Sequence, residues 1–271
     1  MIEKLRRRRL RYCKNITKHC HISCLLVALN LVLLAVFLLD EPVSTYVART
    51  PSVLRPLGGL VTDAGKSGWI LIASALLFGE ALTRARFVRG AAMRLQSFLV
   101  CHLAAYVFLT VALSGLAANL AKRMIGRMRP LFPPDGSAFG FSPLHGSYQF
   151  ESFPSGHATT VGALMMAFAL MAPAWRVHCL VLGLWLGFSR VIVGAHYPSD
   201  VIAGLVFGAW FSIVTATVFA RCGLLFQVQE SGLPQLCRPL PLSWPSLHPR
   251  GWRNLMPVRG SRPSGGQPTA A

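Results

Sequence analysis

SFLVCHLAAYVFLTVALSGLAANLA, residues 97–121, contains no Asp, Glu, Lys or Arg and stops against Lys122. A helix that crosses a hydrocarbon core of roughly 30 Å needs about 20 mostly apolar residues, so this stretch reads as a transmembrane helix. Five more runs approach the same standard: Ile22–Leu39, Trp69–Leu82, Ala158–Trp175, Val177–Phe188 and Val201–Ala220. The second is expected to extend into the Gly-rich stretch before it, and the fifth of the six to continue through Arg190 into Val193. None shows the apolar/polar alternation of a barrel strand, and lipid offers no partner to an exposed backbone amide. The expected fold is therefore all-α, a polytopic membrane protein with six transmembrane helices.

Composition points the same way. Of 271 residues 53% are hydrophobic and 13% charged, where an ordinary soluble domain carries about 25% charge. Mean hydropathy is +0.50. Lys and Arg outnumber Asp and Glu 27 to 9, a net charge of +18. In a soluble protein that excess would suggest nucleic acid. Here it is sorted between apolar runs, which excludes that reading in favour of loop charges that set orientation. Seven cysteines without C-x2-C or Cys/His spacing give neither a disulfide framework nor a zinc site.

Three regions follow. Residues 1–21 form a basic arm with Arg6, Arg7, Arg8, Arg9 and Arg11, expected in the cytoplasm. Residues 22–221 carry the six helices, and residues 222–271 a Pro/Gly/Arg-rich cytoplasmic tail, expected to be disordered beyond about Glu230. Leu39-Asp40-Glu41-Pro42 lacks a small-residue cleavage pattern, so the first apolar run is expected to be a retained helix. With Arg84, Arg86, Arg89 and Arg94 in a second inner loop, helices three and five rise to the outer face and four and six descend from it.

Three polar clusters then share that outer face, at the ends of helices three to six. Lys122 to Pro130 follows the third run. A snorkelling interfacial cluster is its plain reading, but positive charge is disfavoured on that side, and a fixed anionic ligand would offset the bias. Ser155-Gly156-His157 opens the fourth run. Ser155 reads as an N-cap, and the amides of Gly156 and His157, with the helix dipole behind them, make an anion cradle. Ser189 to Asp200 bridges the last two runs, with Asp200 placed to reach back to one nitrogen of His196. A capping aspartate beside an incidental histidine is the alternative. Metal ligation by His157, His196 and Asp200 competes with anion chemistry, but Lys122, Arg129 and Arg190 would repel a cation. No metal or other cofactor is expected.

K-x6-R-P at Lys122–Pro130, P-S-G-H at Pro154–His157 and S-R-x5-H-x3-D at Ser189–Asp200 together resemble the tripartite signature of the phosphatidic-acid phosphatase type 2 superfamily, in its integral-membrane bacterial branch. Gly126 and Arg127 fit the longer K-x3-G-R-x-R-P form. The resemblance implies a metal-independent lipid phosphatase. His196 would attack phosphorus, Asp200 would hold its other ring nitrogen, and His157 would protonate the leaving group. Lys122, Arg129, Ser155, Gly156 and Arg190 would bind the phosphoryl oxygens. It implies as substrates lipid phosphate monoesters or pyrophosphates: lipid A phosphate and undecaprenyl pyrophosphate foremost, then phosphatidylglycerol phosphate and phosphatidic acid. The expected location is the bacterial inner membrane with the site facing the periplasm, and the expected partners are substrate and membrane lipids, not nucleic acid. A phosphotransferase using the same site, or a catalytically silent lipid-binding protein or transporter, are the other readings. Phe132, Phe139, Phe141, Tyr148 and Phe150 in the outer loop could cover a headgroup or anchor the loop at the interface.

Overall fold

The structure is a computed structural model and describes residues 22–49, 58–59, 65–132, 138–229 and 232–237, without the side chains of 47–49. The basic arm and the tail beyond 237 lie outside the described residues.

Seven helices carry the fold: α1 (Ile22–Leu38), α2 (Asp40–Arg49), α3 (Ser67–Phe87), α4 (Ala91–Ile125), α5 (Gly156–Met171), α6 (Arg176–Ile192) and α7 (Pro198–Arg221). α1 and α2 are one apolar run bent by 52°, and Pro42, which cannot donate to the preceding turn, accounts for the break. Among the described residues four helices are long and apolar enough to cross a membrane, and the bent pair makes a fifth. α5 has 16 residues, a rise of about 24 Å at 1.5 Å each, so it falls short of a full span by length.

Several boundaries differ from the sequence reading. The second run grows mainly forward, to Phe87, carrying Arg84 and Arg86 on its last turn. The third continues through Lys122 to Ile125, so Lys122 sits on the helix and not after it. The fourth stops at Met171 because Pro173 opens a separate 3-10 turn, Pro173–Trp175. The tail, expected to be disordered beyond about Glu230, keeps structure past that point. β1 (Phe226–Val228) pairs antiparallel with β2 (Pro234–Leu236), a departure from an all-α fold, and an isolated antiparallel bridge joins Arg127 to Phe141. Such short strands leave no periodic signal. What holds them is burial of Phe226 and Leu236 against Tyr106, Leu170 and Phe219.

The helices pack through small residues. Added Cβ atoms would lie 2.2 Å from Leu205 O at Gly162, 2.5 Å from Ser155 O at Gly204, and 2.0 Å from Thr159 O at Gly208. α5 and α7 therefore touch backbone to backbone, as membrane helices do where glycine removes the side chain between them. Ala158, Val191 and Val201 fill the space just beneath the site. The outward faces stay apolar, with Phe37, Leu76 and Trp185 about two-thirds exposed or more, as expected of surfaces that meet lipid.

Candidate active site

Gly126 ends α4 in the left-handed conformation, at φ +62°, and its amide caps Lys122 O at 2.9 Å. A side chain there would also collide with Ser142, whose amide bonds Gly126 O at 2.7 Å. Met128 N to Gly140 O and Leu144 N to Arg123 O, both 2.8 Å, complete a clasp that folds the following loop back over the helix end. The turn sends Arg127 inward.

Arg127 is 3% exposed, and all five of its N–H groups are engaged. Nη1 donates to Asp200 Oδ1 and to Ser199 Oγ, each at 2.7 Å. Nη2 donates to Asp40 Oδ2 at 2.7 Å and Ala138 O at 3.1 Å, and Nε to Ala138 O at 3.3 Å. Its face lies 4.2 Å from the Tyr197 ring centroid. Burial opposes its charge, but Asp200 and Asp40 more than offset this and hold its pKa above the ordinary guanidinium value. Arg127 is thus a structural cation with no donor left for a ligand.

Asp200 is the third residue of α7 and fully buried. Its Oδ2 accepts from Tyr197 N at 3.0 Å and from Ser152 Oγ at 2.5 Å, and lies 3.7 Å from His196 Nδ1. The predicted juxtaposition of His196 and Asp200 is present, with the ring nearer to a charge contact than to a formed hydrogen bond. Catalytic hydrogen bonds are commonly long before substrate binds. Burial, partly offset by Asp200, pushes the His196 pKa down to about 3. At neutral pH the imidazole is uncharged. With Nδ1 turned to the carboxylate, Nε2 keeps the lone pair.

Opposite stands the start of α5. Ser155 is its N-cap, as expected: Ala158 N donates to Ser155 Oγ at 3.4 Å. Ser155 N donates to Asp200 O at 3.0 Å, tying the two helix starts together. Gly156 and His157 form the first turn, at the positive end of the helix dipole. Lys122 Nζ approaches so closely that a Cβ on Gly156 would lie 3.3 Å from it. Lys122, itself buried, is within electrostatic reach of Arg129, Glu151, Asp200 and Arg190. Arg129 is held by Tyr148 O at 2.9 Å and Ala195 O at 3.3 Å, with the Tyr148 ring stacked on it at 3.8 Å. Arg190 and His157 are half-buried, on the last turn of α6 and the first of α5.

Lys122, Arg129, Arg190, Ser155, Gly156, His196 and Asp200 thus come together as read from sequence, with His157 adjacent on the same turn. A neutral buried imidazole, backed by a carboxylate and facing cations and helix amides, is equipped to attack an anionic tetrahedral centre and hold its charge. Among the described residues no three His, Cys, Asp or Glu side chains are grouped to hold a metal. Sequence reading missed Asp40, Ser152 and Ser199. The only local signal for Asp40 is its place directly after the first apolar run, where an acid also fits an ordinary helix break.

The family model described as the PAP2 superfamily matches residues 103–223. The chain is 50% identical over 212 residues to a lipid A 1-phosphatase of Rhizobium johnstonii, covering 78% of this chain and 86% of that protein. It is 48% identical over 219 residues to a lipid A 1-phosphatase of Rhizobium etli, covering 81% and 94%. Among solved structures, a transmembrane PAP2 type phosphatidylglycerolphosphate phosphatase from Bacillus subtilis superposes with a TM-score of 0.51 at 20% identity, covering 74% of this chain and 96% of that one. That last likeness is one of fold.

Proposed function

The chain belongs to the PAP2 superfamily and is a membrane lipid phosphatase, and on that premise we propose that it removes the 1-phosphate of lipid A through a phosphohistidine. The observation that carries this reading is the neutral, buried His196, backed by Asp200 and charge-coupled to Lys122 and Arg129. The half-identity to phosphatases of lipid A supports the choice of substrate. So does the rim of the site: Leu131, Phe132, Phe139, Phe141 and Leu144 are all exposed, an apolar border suited to a lipid surface.

His196 Nε2 attacks phosphorus while the bond to the sugar oxygen breaks, and His157 gives that oxygen its proton. Lys122, Arg129 and Arg190, with Ser155 and the Gly156 amide, take up the charge spreading over the three equatorial oxygens. Asp200 stabilises the positive charge that appears on the imidazole. Water then gives a proton to His157 and attacks phosphorus, releasing phosphate and restoring His196.

Purified protein in detergent, given lipid A, undecaprenyl pyrophosphate, phosphatidylglycerol phosphate and phosphatidic acid, is expected to release phosphate most readily from lipid A. Folded protein that releases none from the whole panel would refute the reading. Transfer to an added lipid acceptor in place of water would identify a phosphotransferase.

The basic arm and the Arg84–Arg94 region, which favour the cytoplasm, support a site on the periplasmic face of the inner membrane. Leu144→Cys in the outer loop should react with an impermeant thiol reagent in intact cells, and Cys237, exposed beside the hairpin, only after lysis. The reverse pattern would move the chemistry to the inner leaflet.

A further inference from the structure

Asp40 stands outside all three motifs and outside the matched stretch 103–223, yet it is fully buried at the α1–α2 bend. Its Oδ1 accepts from Ser199 N at 2.9 Å, and its Oδ2 from Ser199 Oγ at 2.5 Å and Arg127 Nη2 at 2.7 Å. Both of those partners bear on Asp200: Ser199 precedes it on the first turn of α7, and Arg127 binds its Oδ1.

We propose that Asp40 is a positioning residue for the hydrolytic reaction, fixing Asp200, and through it His196, by binding Arg127 and Ser199 at once. The inference rests on the phosphohistidine reading above. Two arguments separate it from a merely structural tie. Burying three charges costs several kcal/mol per ion before pairing, so an apolar contact would join α1 to the bundle more cheaply. The charge count is also directional. Arg127 alone would cancel Asp200, whereas Asp40 and Asp200 against Arg127 leave one net negative charge behind His196. That is where positive charge appears when the ring, still protonated at Nδ1, bonds to phosphorus. Arg127 has no N–H left for substrate, so Asp40 acts through the ring's support and not through binding.

The test is steady-state kinetics of full-length protein in detergent, with folding checked by gel filtration and thermal unfolding. Asp40→Asn keeps size and hydrogen bonding but removes the charge. Its kcat should fall about tenfold or more, as removal of a histidine's outer support does, while KM stays within about twofold. Asp40→Glu, which keeps the charge but displaces it, should retain more of kcat than the Asn variant. Asp40→Asn with Arg127→Gln should lose less than the product of the two single losses, because both side chains act on Asp200 through one linkage. If Asp40→Asn does not fold, a reduced kcat at unchanged KM in Asp40→Glu carries the proposal. Wild-type kcat in folded Asp40→Asn, or in Asp40→Glu where the Asn variant does not fold, a KM effect as large as the kcat effect, or additive losses in the double variant would overturn it. An inactive wild type, indistinguishable from His196→Ala, would instead overturn the phosphatase reading. An active wild type with inactive His196→Ala and unimpaired Asp40→Asn would overturn this inference alone.

Discussion

Substituting Gly208 by alanine adds one carbon at the closest approach of α5 and α7. That Cβ would lie 2.0 Å from Thr159 O and 2.7 Å from Ala163 N, both backbone atoms that cannot rotate aside. Ordinary contact begins near 3.4 Å, so the two helices must separate by about 1.4 Å at this level. The starts of the same helices carry Ser155 on one side and His196 and Asp200 on the other, joined by Ser155 N to Asp200 O at 3.0 Å. A shift of that size opens the bond and moves the start of α5 away from His196. Misplacement of reacting groups by about 1 Å costs on the order of 100-fold in rate, equivalent to about 2.7 kcal/mol of barrier. Phosphate release from lipid A by Gly208→Ala should therefore fall about 100-fold, with a lower unfolding temperature in detergent. Gly79→Ala on α3 is the control: nothing lies within 4 Å of its added carbon, and the helix gains up to about 1 kcal/mol in propensity. Wild-type activity in folded Gly208→Ala would refute the claim that backbone contact between α5 and α7 sets the site.

Other outcomes are open to measurement. His196→Ala should lower hydrolysis by orders of magnitude, and His157→Ala should spare an aryl phosphate, whose leaving group needs no proton, more than an alkyl one; equal losses would exclude His157 as the acid. Folding keeps His196 neutral down to about pH 3, while the unfolded ring takes a proton below about 6.5. It therefore adds no pH dependence above about 7 and costs stability progressively as pH falls from 6.5 toward 3. Wild type should lose unfolding temperature over that window more steeply than His196→Gln, and a shallower loss would mean that the folded ring is charged. Chelator should leave turnover unchanged and vanadate should inhibit it, because fixed cations and dipoles do the electrostatic work; loss with chelator and rescue by zinc or magnesium would contradict this.

The polar groups at helix ends were legible because each is costly beside an apolar run and each follows a local pattern. Ser155 announced its helix, and Gly126 stands where α4 turns left-handed, though its power to carry the helix past Lys122 was not read. Asp40 was harder. Its partners are 87 and 159 residues away in sequence, and its own neighbourhood, Leu39-Asp40-Glu41-Pro42, reads as an ordinary helix break. The hairpin after Arg221 was invisible for a different reason: three-residue strands have no period, and only contact with Tyr106 and Phe219 gives them a place. α5 was read too long because its apolar composition runs on past Ala172 while Pro173 stops the helix.

The glycine contact between α5 and α7 also divides labour within the protein. His196, His157, Ser155 and Asp200 all ride on or beside two helices that cannot slide or swell without a clash, so the site travels as one unit. The loop over residues 138–150, with Phe139, Phe141, Leu144 and Tyr148 exposed, is held instead to the end of α4 and the turn after it, mainly through the loop's own backbone atoms, which many side chains can share. Retargeting such an enzyme to a different headgroup is then a matter of redrawing the loop and leaving the helix pair alone.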